Sequence, residues 1–74
     1  MRVTRDNLDT RVEVVNDCLR DGVSIIVERR DGYVELNLAD RLGVVRALYL
    51  GSTRQAYDWL GGFLAALDIT NRTA

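Results

Sequence analysis

Residues 23–38, with the sequence VSIIVERRDGYVELNL, decide the fold because two runs of alternating side chains flank Asp31-Gly32. Asp-Gly between such runs predicts a β-hairpin with a two-residue type I′ turn, which requires positive φ at both turn residues. The predicted register pairs Arg30 with Tyr33, Glu28 with Glu35, Val27 with Leu36 and Ile25 with Leu38. Successive side chains of a strand point to opposite faces. One predicted face is apolar and consists of Val23, Ile25, Val27, Val34, Leu36 and Leu38. The other face is mixed and consists of Ser24, Ile26, Glu28, Arg30, Tyr33, Glu35 and Asn37.

An amphipathic helix precedes this hairpin. Its apolar stripe follows the helical spacing of four, three and four residues and consists of Leu8, Val12, Val15 and Leu19. Thr4 or Asp6 is suited to the N-cap, because the side-chain oxygen accepts a hydrogen bond from a free backbone amide. Gly22 is suited to the left-handed position after the helix. The prediction is a helix over residues 4–20, followed by strands over 23–30 and 33–38.

A third strand is predicted over residues 44–50, which are rich in branched and aromatic side chains. Its facing has two alternatives. The first turns inward the apolar residues Val45, Ala47 and Tyr49. The second turns inward Val44, Arg46, Leu48 and Leu50. Burial of an unpaired arginine is costly, so we favour the first alternative, in which Val44, Leu48 and Leu50 join Ile26 on the outer face.

A second helix is predicted over residues 53–67. Gly51 breaks the strand, and Ser52 and Gln55 have the spacing of a capping box. The apolar side of this helix consists of Ala56, Leu60, Phe63, Leu64 and Leu67. Gly61-Gly62 weakens the helix, so we expect another backbone to approach closely there.

The order of elements predicts an α+β fold of the type α-β-β-β-α, with a three-stranded antiparallel meander and two helices packed on one face. The helices need the apolar sheet face to cover their stripes. We expect a single domain over residues 1–67 and a polar C-terminal tail over 68–74. The other face of the sheet has no covering element within the chain.

Composition excludes most catalytic chemistry. The 74 residues include no histidine and no lysine, and the ten basic residues are all arginine. The commonest general base, the commonest neutral metal ligand and the Schiff-base amine are therefore missing. We expect no enzyme activity, no cofactor and no metal. Cys18 has no partner for an internal disulfide, and no apolar run is long enough to span a membrane, so a cytoplasmic protein is expected.

Three surfaces are candidates for binding. The first candidate lies at the hairpin and consists of Arg29, Arg30 and Tyr33, with Arg46 near them. These residue types bind phosphate and stack on a base, although Glu28, Asp31 and Glu35 lie among them.

The second candidate is an acidic ridge on the first helix, consisting of Asp9, Glu13 and Asp17. This ridge either binds a basic partner surface or is an ordinary helix face that contacts only solvent.

The third candidate is the uncovered sheet face, where exposed apolar area marks an interface. The residues expected in a partner or dimer interface are Ile26, Arg30, Tyr33, Glu35, Val44, Arg46 and Leu48.

The C-terminal half resembles a group of small phage and prophage proteins of unknown function. The resemblance lies in Asn37-Leu38, in Gly43 before an apolar strand, and in the run STRQAYDWL of residues 52–60 followed by Gly62-Phe63. The final helix of that group has the pattern Thr-x-Arg-Glu-x-Tyr-x-x-Leu-x-x-Phe. This chain differs in having Gln55 at the glutamate position and a shorter connection after its third strand.

The resemblance implies a phage accessory protein in the host cytoplasm that binds a host or phage protein. It supplies no catalytic residue. Self-association as a homodimer is expected as well, because small domains gain stability from it. The alternative function is a small nucleic-acid-binding module that uses Arg29, Arg30 and Tyr33.

Overall fold

The computed structural model describes residues 2–73, with side chains through residue 70. Its elements are α1 (Arg5–Cys18), β1 (Ser24–Arg30), β2 (Tyr33–Ala39), β3 (Val45–Gly51) and α2 (Thr53–Thr73). The strands form an antiparallel meander in the order β1-β2-β3, and both helices pack against one face of it. The predicted α+β fold is confirmed. Within residues 2–73, no helix combines the length and the hydropathy that a membrane span requires.

The hairpin has the predicted register, but its turn is of another type. Arg30 pairs with Tyr33 and Ile25 with Leu38. Gly32 has a φ of 84°, whereas Asp31 lies outside the left-handed region. These signs of φ belong to a type II turn, so the predicted type I′ turn is wrong. Glycine alone takes the positive φ without a steric cost, and Asp31 therefore keeps the ordinary backbone region.

A β-bulge in β3 overturns the favoured facing of that strand. Leu36 pairs with Tyr49, whereas the next residue of β2, Asn37, pairs with Ala47, so that Leu48 is the extra residue. Both Leu48 and Tyr49 pack against the core. The bulge inverts the alternation for the first half of the strand.

The consequences for individual residues follow from the register. Val45 pairs with Ala39 on the outer face, and Ala47 pairs with Asn37 there. Both residues were wrongly expected inside, and Leu48 was wrongly expected outside. Arg46 pairs with Leu38 and so lies on the helix side of the sheet. Its side chain remains exposed there, so the charged group keeps its hydration. Val44 lines a cleft with Leu38 and Arg46 and is likewise absent from the outer face.

Both helices begin with reciprocal capping boxes. Thr4 caps α1, and the Asn7 amide N–H donates to the Thr4 hydroxyl at 3.2 Å. Ser52 caps α2 as predicted: the Gln55 amide N–H donates to its hydroxyl at 3.1 Å, and Gln55 Oε1 accepts from the Ser52 amide at 2.9 Å. These bonds satisfy amides that no helical carbonyl reaches.

The helix ends differ from the predicted boundaries. α1 ends at Cys18, two residues early, and Gly22 takes its left-handed conformation in a separate turn. α2 continues six residues past its predicted end, through Thr73. Most of the segment predicted as a polar tail is therefore helical, because nothing in it breaks a helix; Ala74 lies outside the described residues.

The core lies between the sheet and the two helices. Its fully buried large side chains come from the sheet and from both helices and consist of Leu8, Val15, Leu36 and Leu60. Tyr49, Trp59 and Phe63 form a stacked aromatic row beside it, with ring centroids 5.6 and 5.3 Å apart. The row attaches α2 to β3.

Gly61 accommodates a side chain rather than the backbone that was expected there. Arg11 of α1 donates from Nη1 to the Tyr57 carbonyl at 3.0 Å and from Nη2 to the Tyr57 hydroxyl at 2.8 Å. A Cβ atom at position 61 would lie 2.7 Å from Arg11 Nη1, whereas nothing lies within 4 Å of a Cβ at position 62. The two adjacent glycines therefore have different roles.

Replacing each glycine by alanine in turn tests whether the Arg11 contact requires glycine at position 61. Gly62→Ala is expected to raise the free energy of unfolding by about 1 kcal/mol, because alanine is the better helix former. Gly61→Ala is expected to give a smaller gain or a loss, since the new methyl group displaces Arg11 from Tyr57. Urea denaturation of the two variants measures both values. Equal gains would show that the Arg11 contact does not require glycine.

Candidate functional site

The outer sheet surface, which we call the open face, exposes several apolar side chains. Its exposed members are Ile26, Tyr33, Val45, Ala47 and Leu50. Four of the eight exposed large apolar side chains among the described residues lie here, with exposures from 43% for Ile26 to 57% for Leu50. Asn37 is nearly buried at the centre of the face. A patch of this kind on a small domain marks a contact surface.

The edges of the sheet are less available for pairing than its face. The Asn16 side chain of α1 reaches the outer edge of β1, where Nδ2 donates to the Ile25 carbonyl at 3.1 Å. Asn16 Oδ1 accepts from the Ile25 amide at 2.7 Å. The bulge interrupts the ladder of β3 at Leu48. Blocked or bulged edges resist strand addition, so association through the open face is favoured over association through an edge.

The accessible surface is large for the size of the chain. It amounts to 5207 Å², whereas a typical monomer of 8.3 kDa exposes about 4,600 Å². The end of α2, where Ile69 is 64% exposed, contributes to this excess. The open face contributes as well, because the molecule has only two layers and is 16 Å thick.

Charges concentrate at the hairpin end of the open face. Arg30 forms a close ion pair with Glu28, and its Nε lies 3.8 Å from Glu35 Oε2. This diagonal pair relieves the repulsion between the two glutamates, which lie directly opposite each other. The open face thus has apolar side chains on both sides of the nearly buried Asn37 and an ion-paired group at its hairpin end.

A second feature, the basic cleft, lies at the same end of the sheet. It has a volume of about 410 Å³ and is bounded by the hairpin tip and the first turns of both helices. Four arginines line it, together with Gly32, Tyr33, Val34, Ser52 and Thr53. The arginines are Arg5, Arg29, Arg30 and Arg54.

The structure thus brings together Arg29, Arg30 and Tyr33, as the sequence pattern indicated. Arg46 is not part of this group and lines a different cleft with Asp40 and Leu38. Sequence analysis missed Arg5 and Arg54. Their signal was visible, because each arginine follows a helix cap within two residues, where a positive charge is unfavourable.

No family model, curated protein or solved structure matches this chain.

The acidic ridge is exposed along α1, but part of it is engaged within the chain. Asp9 Oδ1 accepts from Arg29 Nη2 at 2.7 Å, so its charge is shared with β1. Glu13 and Asp17 are exposed on successive turns. Within the part of the chain that the structure describes, no group of three or more histidine, cysteine, aspartate or glutamate side chains is arranged to hold a metal ion.

Proposed function

We propose that the protein is a small, non-catalytic accessory protein of the phage type, which acts through protein contacts on a host or phage protein. The open face is its self-association surface, and a second copy of the chain is the occupant of that face. The observation that carries the proposal is the exposed apolar area of Ile26, Val45, Ala47 and Leu50 on the sheet face opposite to the one on which both helices pack. The phage assignment rests on the resemblance of residues 33–67.

A two-fold arrangement suits the distribution of charge on the open face. An axis that runs along β2 would stack the Glu35 side chains of the two copies. An axis that crosses the strands near Asn37 instead places each hairpin tip over the opposite end of the other sheet. Given a rise of about 3.4 Å per residue, the two Glu35 residues are then separated by about 14 Å along the strands. This second arrangement buries the apolar side chains around Asn37 and leaves the ion pairs at the rim.

Association is expected to depend on Ile26. Light scattering of the wild type across a dilution series should show a dimer that dissociates to a monomer. Ile26→Arg should weaken the dimer by at least about tenfold, because the two Ile26 positions lie opposite each other across the axis and the change places two like charges there, at a cost of roughly 1.4 kcal/mol or more.

Val44→Arg is the matched control. Val44 is 50% exposed, close to the 43% of Ile26, but lies on the other side of the sheet. This variant should associate as the wild type does. A wild type that remains monomeric at every concentration would contradict the second copy as occupant. Unchanged association of Ile26→Arg would contradict the use of the open face.

A further inference from the structure

The basic cleft combines four positive charges from three separate segments. Arg5 begins α1, Arg29 and Arg30 end β1, and Arg54 lies in the first turn of α2. No carboxylate belongs to the lining formed by the described residues. The hydroxyl groups of Ser52, Thr53 and Tyr33 add hydrogen-bond donors at the same place. A lining of guanidinium and hydroxyl groups is suited to an anion with several oxygen atoms.

The positions of two of these arginines conflict with the stability of their own helices. Arg5 and Arg54 stand at the positive ends of the α1 and α2 dipoles, where acidic side chains are stabilising. The first turn of α2 contains no acidic residue. The first turn of α1 contains Asp6 beside Arg5, so the absence of an acidic residue is confined to α2. An arginine at the start of each of two helices that meet in one cleft favours an anion there. An anion in the cleft would compensate both dipole ends and both arginines at once.

The ion pairs around the cleft leave its arginines able to bind a ligand. Arg29 pairs with Asp9, Arg30 with Glu28, and Arg54 Nε lies 3.6 Å from Asp58 Oδ2. These are exposed or partly exposed pairs, which contribute little to stability and exchange readily. Among residues 2–70, no carboxylate lies within ion-pair distance of Arg5.

We propose that the basic cleft binds a phosphate monoester dianion. Arg5 and Arg54 are the anion-binding residues, and Tyr33 at the rim packs against the group that carries the phosphate. The volume of about 410 Å³ suits a small ligand or one chain end. A continuous phosphodiester backbone fits less well, because Glu28, Glu35 and Asp31 surround the hairpin end and repel a polyanion that extends past it.

The test measures the binding of three kinds of probe to the whole chain by calorimetry. The probes are inorganic phosphate, adenosine monophosphate, and one oligodeoxynucleotide with either a 5′-phosphate or a 5′-hydroxyl end. The 5′-phosphorylated oligonucleotide should bind at least about fivefold more tightly than the hydroxyl form. The mononucleotide should bind more tightly than inorganic phosphate, because Tyr33 packs against the group that carries the phosphate, and equal binding of the two would contradict the assignment to a monoester. Equal binding of the two oligonucleotides, or no saturable binding of any phosphate probe, would overturn the proposal.

Arg5→Gln and Arg46→Gln form the matched pair of variants. Each removes one positive charge from an exposed side chain, but only Arg5 lines the basic cleft. Arg5→Gln should weaken phosphate binding about fivefold, whereas Arg46→Gln should leave it unchanged. Arg54→Gln provides a second variant in the same cleft. Equal weakening by Arg5→Gln and Arg46→Gln would show general attraction by net charge and overturn the site. The light-scattering series measures the oligomeric state on its own, so failure of this proposal and failure of the proposed dimer appear in different measurements.

Discussion

Leu36→Ala is expected to lower the free energy of unfolding by about 3 kcal/mol, because it opens a cavity where sheet and helices meet. Leu36 has no exposed surface and pairs with Val27 on one side and Tyr49 on the other. Its neighbours include the two bulge residues, so the site has little freedom to collapse. A 74-residue chain has a total stability of roughly 4–11 kcal/mol. The substitution therefore removes a large share of it.

Leu50→Ala is the control for this substitution. Leu50 is in the neighbouring strand but is 57% exposed, so truncation should cost less than about 1 kcal/mol in the monomer. Urea denaturation should be done at one low protein concentration, since a dimer would add stability that depends on concentration. Similar losses for Leu36→Ala and Leu50→Ala would contradict the assignment of Leu36 to the centre of the core.

Asn16→Ala is expected to lower the free energy of unfolding by about 2 kcal/mol. The amide of Asn16 is the partner of both backbone polar groups of Ile25, with bonds of 2.7 and 3.1 Å. Both bonds are partly buried, so removal of the side chain leaves a donor and an acceptor with poor access to water. The loss should appear in denaturation and as faster amide exchange at Ile25.

Asp17→Ala is the control, because it changes the helix propensity of α1 without removing the hydrogen bonds between Asn16 and Ile25. Asp17 is the next residue of α1 and is exposed, so its replacement should change stability by no more than about 0.5 kcal/mol. Unaltered exchange at Ile25 in Asn16→Ala would show that water replaces the side chain without cost. Loss of the Asn16 bonds would also expose the edge of β1, so the variant should aggregate more readily than the wild type.

The open face and the basic cleft share two residues, Arg30 and Tyr33. A dimer that covers the open face would place these side chains at its rim, next to the ligand in the cleft. Binding of a phosphate monoester and dimer formation are then thermodynamically linked, and each must alter the affinity of the other by the same factor. The variants Ile26→Arg and Arg5→Gln perturb the two features separately.

Features that depend on neighbours in sequence could be predicted from the sequence. The hairpin register follows from a two-residue turn at Asp31-Gly32, and the capping box of α2 follows from Ser52 and Gln55 alone. The inner face of the hairpin could be assigned because side chains alternate strictly in a regular strand. These patterns are sufficient to predict the fold class, because each helix has one apolar stripe that must be buried and the sheet has one apolar face to bury it against.

Other features depend on contacts between segments that are distant in sequence. The bulge at Leu48 was not predicted, because it arises from the packing of Leu48 and Tyr49 against the core and shifts the register of β3 relative to β2. The role of Gly61 required knowledge of Arg11, a residue on another helix.

The same distinction holds for the two candidate surfaces. The sequence by itself determined the hairpin, both helix starts and the mixed outer face of β1 and β2, because local steric and hydrogen-bonding rules specify them. Only the tertiary structure decided that Val45 and Ala47 complete the open face in place of Val44 and Leu48, since one extra residue in a strand inverts its alternation. Only the tertiary structure brought Arg5 and Arg54 beside Arg29 and Arg30, because helix–sheet packing determines which segments meet at the hairpin end.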